Sequence, residues 1–266
     1  MESICEVENF IQLKREYESK LTEYTDTLRV RSDKNKLKEL SEFRNIEMET
    51  LEHQGVFFIG EMAEMLIPKF LKDIKSFGVI SNTNNKPIFH NRHVFPIKNE
   101  EGLVQNLVGY SPTADERYIY GTAKYYRRKD TLFGLENLYL AYEMGYAVLT
   151  EGITDAVMLR NLGIPNAFGN CGTHSSTYAM NQLDRCEYGI IKIPDRDSAG
   201  IKAKKKWITS RMVTLNPPAQ YKDIDEMLRE QENREWFMEY FNECVKYIKS
   251  NKHMKGTWAH VEVTII

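Results

Sequence analysis

Apolar residues recur along this chain with two different periods, and the change of period divides it. Ile4, Phe10, Leu13, Tyr17, Leu21 and Tyr24 return at helical spacing through a highly charged stretch, which predicts an amphipathic helix or helical hairpin over residues 1–50. "IGEMAEMLIPKFLKDI" (Ile59–Ile74) predicts a second helical stretch, broken or restarted at Pro68. "SNTNNKP" (Ser81–Pro87) is a turn. "HVFPIKN", "LVQNLVGYS" and "RYIYG" then predict strands joined by turns, hence an antiparallel region.

Near Gly134 the pattern changes. "GLENLYLAYEMG" predicts a helix ending at Gly145, and "YAVLT" a buried strand. "ITDAVMLRNLG" predicts a helix closing at Gly163, "NAFGN" a strand, "HSSTYAMNQLDR" a helix and "YGIIKIP" a strongly apolar strand. "SAGIKAKKKWITSR" predicts a further helix and "MVTLN" a strand. Strands alternating with helices of about ten residues imply βαβ units and a parallel sheet.

Composition changes this picture little. The 266 residues are 42% hydrophobic and 28% charged, with a formal net charge of −2, so no global basic field points to nucleic acid and local patches must carry any such reading. No apolar run approaches membrane-spanning length. "MESICEVENF" is acidic where a signal peptide is basic, so the expectation is a cytoplasmic protein with no membrane partner. Cys5, Cys171, Cys186 and Cys244 are scattered singly with no C-x-x-C pair, so no zinc site is expected in this chain.

The chemistry lies in the carboxylates that follow the apolar strands. Glu151 follows "YAVLT", and Asp195 and Asp197 follow "YGIIKIP". In a parallel sheet both places fall at the carboxyl edge, where open α/β sheets bind ligands. Side chains alternate along an extended chain, so the two aspartates of D-x-D point the same way. Such carboxylates repel unless a cation lies between them, and an oxygen-only set favours Mg²⁺ or Mn²⁺ over zinc. Asp155 lies one helical turn beyond Glu151, and a second D-x-D, Asp223 and Asp225 in "YKDIDEML", follows the next strand. Taken singly, each also reads as an ordinary helix-start residue, with Asp225 capping "EMLREQ"; the repetition after successive strands favours the metal.

"TEGITDAV…GNCGT…PDRDSAG…KDIDEML" resembles the Toprim domain, specifically that of bacterial DnaG-type DNA primases. Glu151, Gly152, Asp155, Gly172, Thr173, Asp195, Asp197, Ala199, Gly200, Asp223 and Asp225 fall on its motif positions. "NRHVFPIKNEEGLVQNLVGYS" and "AKYYRRKDTLFGLENLYLA" resemble the basic half of the primase RNA-polymerase core, which puts Arg92, Lys124 and Arg128 on its basic positions. "KYYRRK" (Lys124–Lys129) also stands on its own physics, since interleaved cations and aromatics suit a single-strand groove, or equally a solvated loop. "KAKKK" (Lys202–Lys206) reads as a solvated helix face, and His90 and His93 as structural or surface residues.

The resemblance implies an α/β Toprim fold, a Rossmann-like parallel sheet with flanking helices, preceded by a mixed α+β basic subdomain and the N-terminal helical segment. The expected divisions are 1–50, 51–140, 141–231 and 232–266, the last holding a helix and a strand. The implied activity is primer synthesis. Glu151, Asp195 and Asp197 would be catalytic and, with Asp223 and Asp225, would hold Mg²⁺ or Mn²⁺. Arg92, Lys124 and Arg128 would bind nucleic acid or nucleotide; Asp155, Gly172, Thr173 and Gly200 would support the site. The implied partners are single-stranded DNA template, ribonucleoside triphosphates, a replicative helicase and a separate zinc-binding primase module, in a bacterial or phage-infected cell. Two alternatives stay open: a Toprim-type nuclease and a non-catalytic nucleic-acid-binding replication accessory.

Overall fold

The computed structural model describes residues 4–81, 86–171, 177–196, 211–251 and 259–264. The chain divides into two compact units, residues 4–40 with 51–128, and residues 41–50 with 129–264.

In the first unit the periodic N-terminal segment is one long helix, α1 (Ile4–Arg31). Asp33 accepts a hydrogen bond from the Asn35 amide at 2.8 Å as α2 (Lys34–Arg44) begins, and α3 (Met48–His53) follows. The sheet is antiparallel, in the order β1 (Phe57–Ile59), β2 (Arg92–Lys98), β3 (Val104–Tyr110), β4 (Tyr118–Tyr120). The antiparallel region is therefore as the sequence predicts. The helical stretch over Ile59–Ile74 is not. Ile59 ends β1, opposite Arg92, and only α4 (Met62–Met65) and a 3₁₀ turn at Pro68–Phe70 are helical. Phe57 and Ile59 are buried in the core, and strand pairing uses their backbone before a helix can.

The core of this unit joins α1 to the sheet through Tyr17, Leu21, Tyr24 and Leu28, packed with Phe57, Phe77, Phe89, Val94 and Leu107. His93 is buried, and burial pushes its imidazole down to about 4, so it is a neutral core residue beside Phe58. Glu18 is also buried and accepts from Asn99 Nδ2 at 3.3 Å, Gln105 Nε2 at 3.0 Å and the Tyr126 hydroxyl.

The second unit holds a six-stranded sheet in the order β10-β9-β8-β6-β7-β5, built from β5 (Leu132–Phe133), β6 (Tyr146–Thr150), β7 (Ala167–Asn170), β8 (Gly189–Ile193), β9 (Arg211–Asn216) and β10 (Ala259–Thr264). All neighbours are parallel except β5, which runs antiparallel to β7. Strands β6 and β8 are buried at every position, as expected of parallel strands covered on both faces. Around them lie α5 (Leu138–Met144), α6 (Ile153–Asn161), α7 (Thr177–Leu183), α8 (Ile224–Leu228) and α9 (Glu232–Ser250). This is the α/β parallel-sheet fold expected from the sequence. The predicted helix "SAGIKAKKKWITSR", with Lys202–Lys206, lies outside the described residues apart from its final arginine, which opens β9.

A backbone test separates conformation from space. Gly78 and Gly102 both hold positive φ, +73° and +80°. A Cβ at Gly102 meets nothing within 4 Å, whereas at Gly78 it would lie 2.4 Å from the Thr122 nitrogen. Gly102→Ala is expected to cost about 1–2 kcal/mol through its left-handed backbone alone. Gly78→Ala is expected to cost about 3 kcal/mol, because the adjoining main chain must also shift. Urea denaturation of the two variants checks the ranking.

Candidate functional site

The chain leaves β6 for β7 on one side, then returns to place β8 on the other. The carboxyl ends of β6 and β8 therefore form a topological switch point, where open sheets leave a crevice for ligand. Thr150 pairs with Ile193, so Glu151 and Asp195 follow neighbouring strands by one and two residues.

The turn after β6 is tightly drawn. The Thr150 hydroxyl donates to Gly152 O at 2.9 Å and to Phe168 O at 3.1 Å. Gly152 caps α6 with extended backbone, and its lack of a side chain is a matter of space: a Cβ there would stand 2.5 Å from Asp155 Oδ2. Asp155, in the first turn of α6, is buried and accepts from the Asp225 amide at 3.2 Å. The loop after β8 is fastened to the loop before α8 by the Arg196 amide, which donates to Lys222 O at 2.8 Å. Asp223 is the N-cap of α8, accepting from the Glu226 amide at 2.8 Å, and Lys222 Nζ lies 3.8 Å from its other oxygen. The cap is thus Asp223 rather than Asp225, because the helix starts at Ile224, two residues earlier than the sequence pattern predicts.

Asp225 does something else. Its carboxylate is 1% exposed, and Oδ2 is held by Arg44 and by Arg229, whose Nε donates at 3.1 Å. Both guanidiniums stand over the Phe43 ring. The Asn45 side chain donates through Nδ2 to Arg229 O at 2.8 Å. Arg229 was open to sequence reasoning as an i,i+4 partner of Asp225. Arg44 was not, since it lies 181 residues away in the chain.

Electrostatics show which groups face one another. Burial pushes the Asp195 carboxyl well above its ordinary range, and the charges of Asp155, Glu151 and Asp223 push it further, against a small pull from Lys222. Asp155 is raised too, by burial and then by Asp223, with Arg44 opposing. Asp155 and Asp195 thus feel the charges of the carboxylates that follow the neighbouring strands at this edge. Their donor set is all oxygen, and their mutual repulsion is of the kind that a hard cation relieves. Among the described residues no three His, Cys, Asp or Glu side chains stand together closely enough to hold a metal ion. Asp197, Gly172, Thr173 and Gly200 lie outside the described residues.

The basic candidates belong to the first unit. Arg92 is 7% exposed and donates to Arg117 O at 3.0 Å. Lys124 and Arg128 are exposed, with Lys124 Nζ 4.9 Å from the Tyr125 ring centroid and the Arg128 guanidinium 3.9 Å from that of Tyr120.

A family model described as Toprim-like matches residues 148–228, the strands and loops that carry the acidic edge. The second unit thus contains a Toprim-type domain. Over more of the chain the similarity is to DnaG-type DNA primases. The DNA primase of Thermotoga maritima is 29% identical over 171 residues, covering 60% of this chain and 30% of that protein. The Aquifex aeolicus DNA primase is 32% identical over 155 residues, 54% of this chain and 31% of that protein. Among solved structures, a DnaG primase catalytic domain bound to single-stranded DNA has the same fold, with a TM-score of 0.72 at 20% identity over 86% of this chain and 80% of that one. The chain spans about a third of the length of these curated relatives. Among the described residues no helix is long and apolar enough to cross a membrane.

Two outcomes follow from the charge arrangement. Removing Arg44 leaves a buried carboxylate with one partially exposed guanidinium, so Arg44→Ala is expected to cost about 3–5 kcal/mol, and Arg44→Lys less. Equilibrium denaturation measures both. A carboxyl raised in the folded state binds more protons folded than unfolded. Its contribution is therefore fully present below the unfolded value of about 4 and is lost as pH rises through the higher folded value. With chelator present, stability should fall from pH 5 to pH 8, and Asp195→Asn should flatten that fall; an unchanged slope contradicts the crowding.

Proposed function

We propose that this chain is a primase-type catalytic core that transfers ribonucleotides to a growing primer on single-stranded DNA. The observation that carries the reading is the pair of buried carboxyl groups at the switch point, Asp155 and Asp195, which feel the charges of Glu151 and Asp223 in a chain similar to DNA primases. Glu151 and Asp195, with Asp197, would hold the divalent cation, and Asp223 would add a further carboxylate to the site. Asp225, gripped by Arg44 and Arg229, anchors α8. When bound, Mg²⁺ or Mn²⁺ offsets phosphate charge and eases ionisation of the attacking hydroxyl.

The chain's own groups do the rest. Asp155 keeps the Glu151 turn and the Asp225 amide in register. Lys124 and Arg128 meet phosphates as point charges that position the strand without reading sequence. Arg92, bound to Arg117 O, shapes the end of β2 where it meets β3 and leaves direct phosphate contact to the exposed cations. The primer 3′ oxygen bonds to the α-phosphorus of the incoming ribonucleotide, and the bond to pyrophosphate breaks. The setting is the cytoplasm of a bacterial or phage-infected cell, with a replicative helicase and a separate zinc-binding module as partners in initiation.

Asp195→Asn tests the acidic site. Extension of an annealed primer should fall by about 10²–10³-fold, while the melting temperature in chelator stays level or rises because one repelling charge is gone. Added Mg²⁺ should stabilise the wild type more at pH 8 than at pH 5, and Asp195→Asn much less. Normal extension by the folded variant rejects the assignment. Cutting of single strands with no nucleotide incorporation by the wild type would favour a nuclease, and binding without turnover an accessory.

Lys124→Ala with Arg128→Ala tests the cations. The slope of log affinity for single-stranded DNA against log salt should flatten by about 0.7 per lost phosphate contact. An unchanged slope makes the segment a solvated loop.

A further inference from the structure

The long helix α1 does more than complete the core of the first unit. Its Phe10 and Lys14 meet the "KYYRRK" segment. Phe10 is 52% exposed and lies edge-on to the half-buried Tyr125 ring at 6.0 Å. Lys14 Nζ lies 4.5 Å from the Tyr126 centroid and 5.7 Å from that of Phe10, while Lys124 Nζ covers Tyr125. Among the described residues no ion pair joins Lys14 or Lys124 to a carboxylate. The exposed Phe10 ring and the half-buried Tyr125 thus stand with two ammonium groups over one patch, backed by buried Tyr126 and followed in the chain by exposed Arg127 and Arg128.

The patch is rigidly backed. Tyr17 packs edge-on to Tyr125 at 5.2 Å, Asn106 Nδ2 donates to Tyr126 O at 3.0 Å, and the Tyr126 hydroxyl bonds to buried Glu18. A solvated loop needs no such support. A surface that receives stacked bases does, since preorganisation lowers the ordering cost of binding. Phosphates need cations beside the rings, and bases need an exposed face.

We propose that Phe10, Lys14, Tyr125 and Lys124 form a stacking platform for single-stranded nucleic acid, so that α1 takes part in holding the template. This rests on the primase reading for its biological meaning, yet its test is separate. Phe10→Ala should weaken binding of a short oligothymidylate by about ten-fold, towards the lower end of the range for loss of one stacked base. Phe10→Trp should retain affinity, and its added emission should be quenched by oligothymidylate but not by inorganic polyphosphate, which has charge without bases. Lys14→Ala should flatten the salt slope by about 0.7.

Unchanged affinity in Phe10→Ala, or equal quenching by polyphosphate, overturns the platform. So does a concentration-dependent dimer of the wild type that Phe10→Ala abolishes while DNA affinity stays the same, because Val7, Ile11 and Leu13 beside the patch are also exposed and would then serve a second copy. Wild-type primer extension is measured in parallel. Normal extension with unaffected Phe10→Ala binding defeats the platform alone. Absent extension with weakened Phe10→Ala binding defeats the primase reading alone.

Discussion

The acidic edge depends on one buried carboxylate held between two guanidiniums. Burial and neighbouring charges both oppose ionisation of Asp155 and Asp195, so the loops that carry them need ties in the backbone. Asp225 supplies that fixing. Its side chain is clasped by Arg44 and Arg229, while its amide donates to Asp155. Two residues earlier Asp223 caps the same short helix. One charged cluster therefore sets both ends of the crowd, and the Arg196 amide ties in the loop from β8. A buried ion pair is weak support for stability in general, but losing one partner is costly. Here its use is positional.

The chain connectivity around Arg44 gives this further meaning. Residues 41–50 belong to the second unit, although the chain on either side of them belongs to the first. The Arg234 guanidinium donates to Asn45 O, Asn45 Nδ2 to Arg229 O, and the Thr50 hydroxyl to Asn161 Oδ1 at 3.1 Å. The segment is thus bound into the Toprim-type unit by side chains and main chain alike. In the first unit Glu18 plays the corresponding part, a buried carboxylate satisfied by three donors that fixes α1 against Tyr126 and the strand residue Gln105.

What the sequence revealed follows from the range of the interactions involved. Glu151 and Asp195 were legible because short apolar runs mark parallel strands, and a charge just past such a run must lie at the sheet edge. Gly152 was legible only as part of a motif; its reason, that a Cβ there would stand 2.5 Å from Asp155 Oδ2, is a matter of packing. The stretch from Ile59 misled because its apolar spacing fits a helix while Phe57–Ile59 is committed to pairing with β2. Arg92 stood out by its place in a basic motif, and nothing in the sequence signalled its burial or its bond to Arg117 O, which joins residues 25 apart. Arg44 left no local trace, since its partner is set by tertiary folding alone.

Net charge conceals how this molecule distributes its charges. The formal value of −2 arises from 36 basic and 38 acidic residues. Yet the second unit concentrates carboxylates where burial and mutual repulsion both oppose ionisation, and the first sets lysines over aromatic rings. Neither arrangement is what stability alone would select. Crowded acids destabilise the folded state as pH rises, and a half-exposed phenylalanine leaves apolar area in water. Perturbed carboxyl groups collect where function needs them, and exposed rings beside cations where a ligand has both faces and charge.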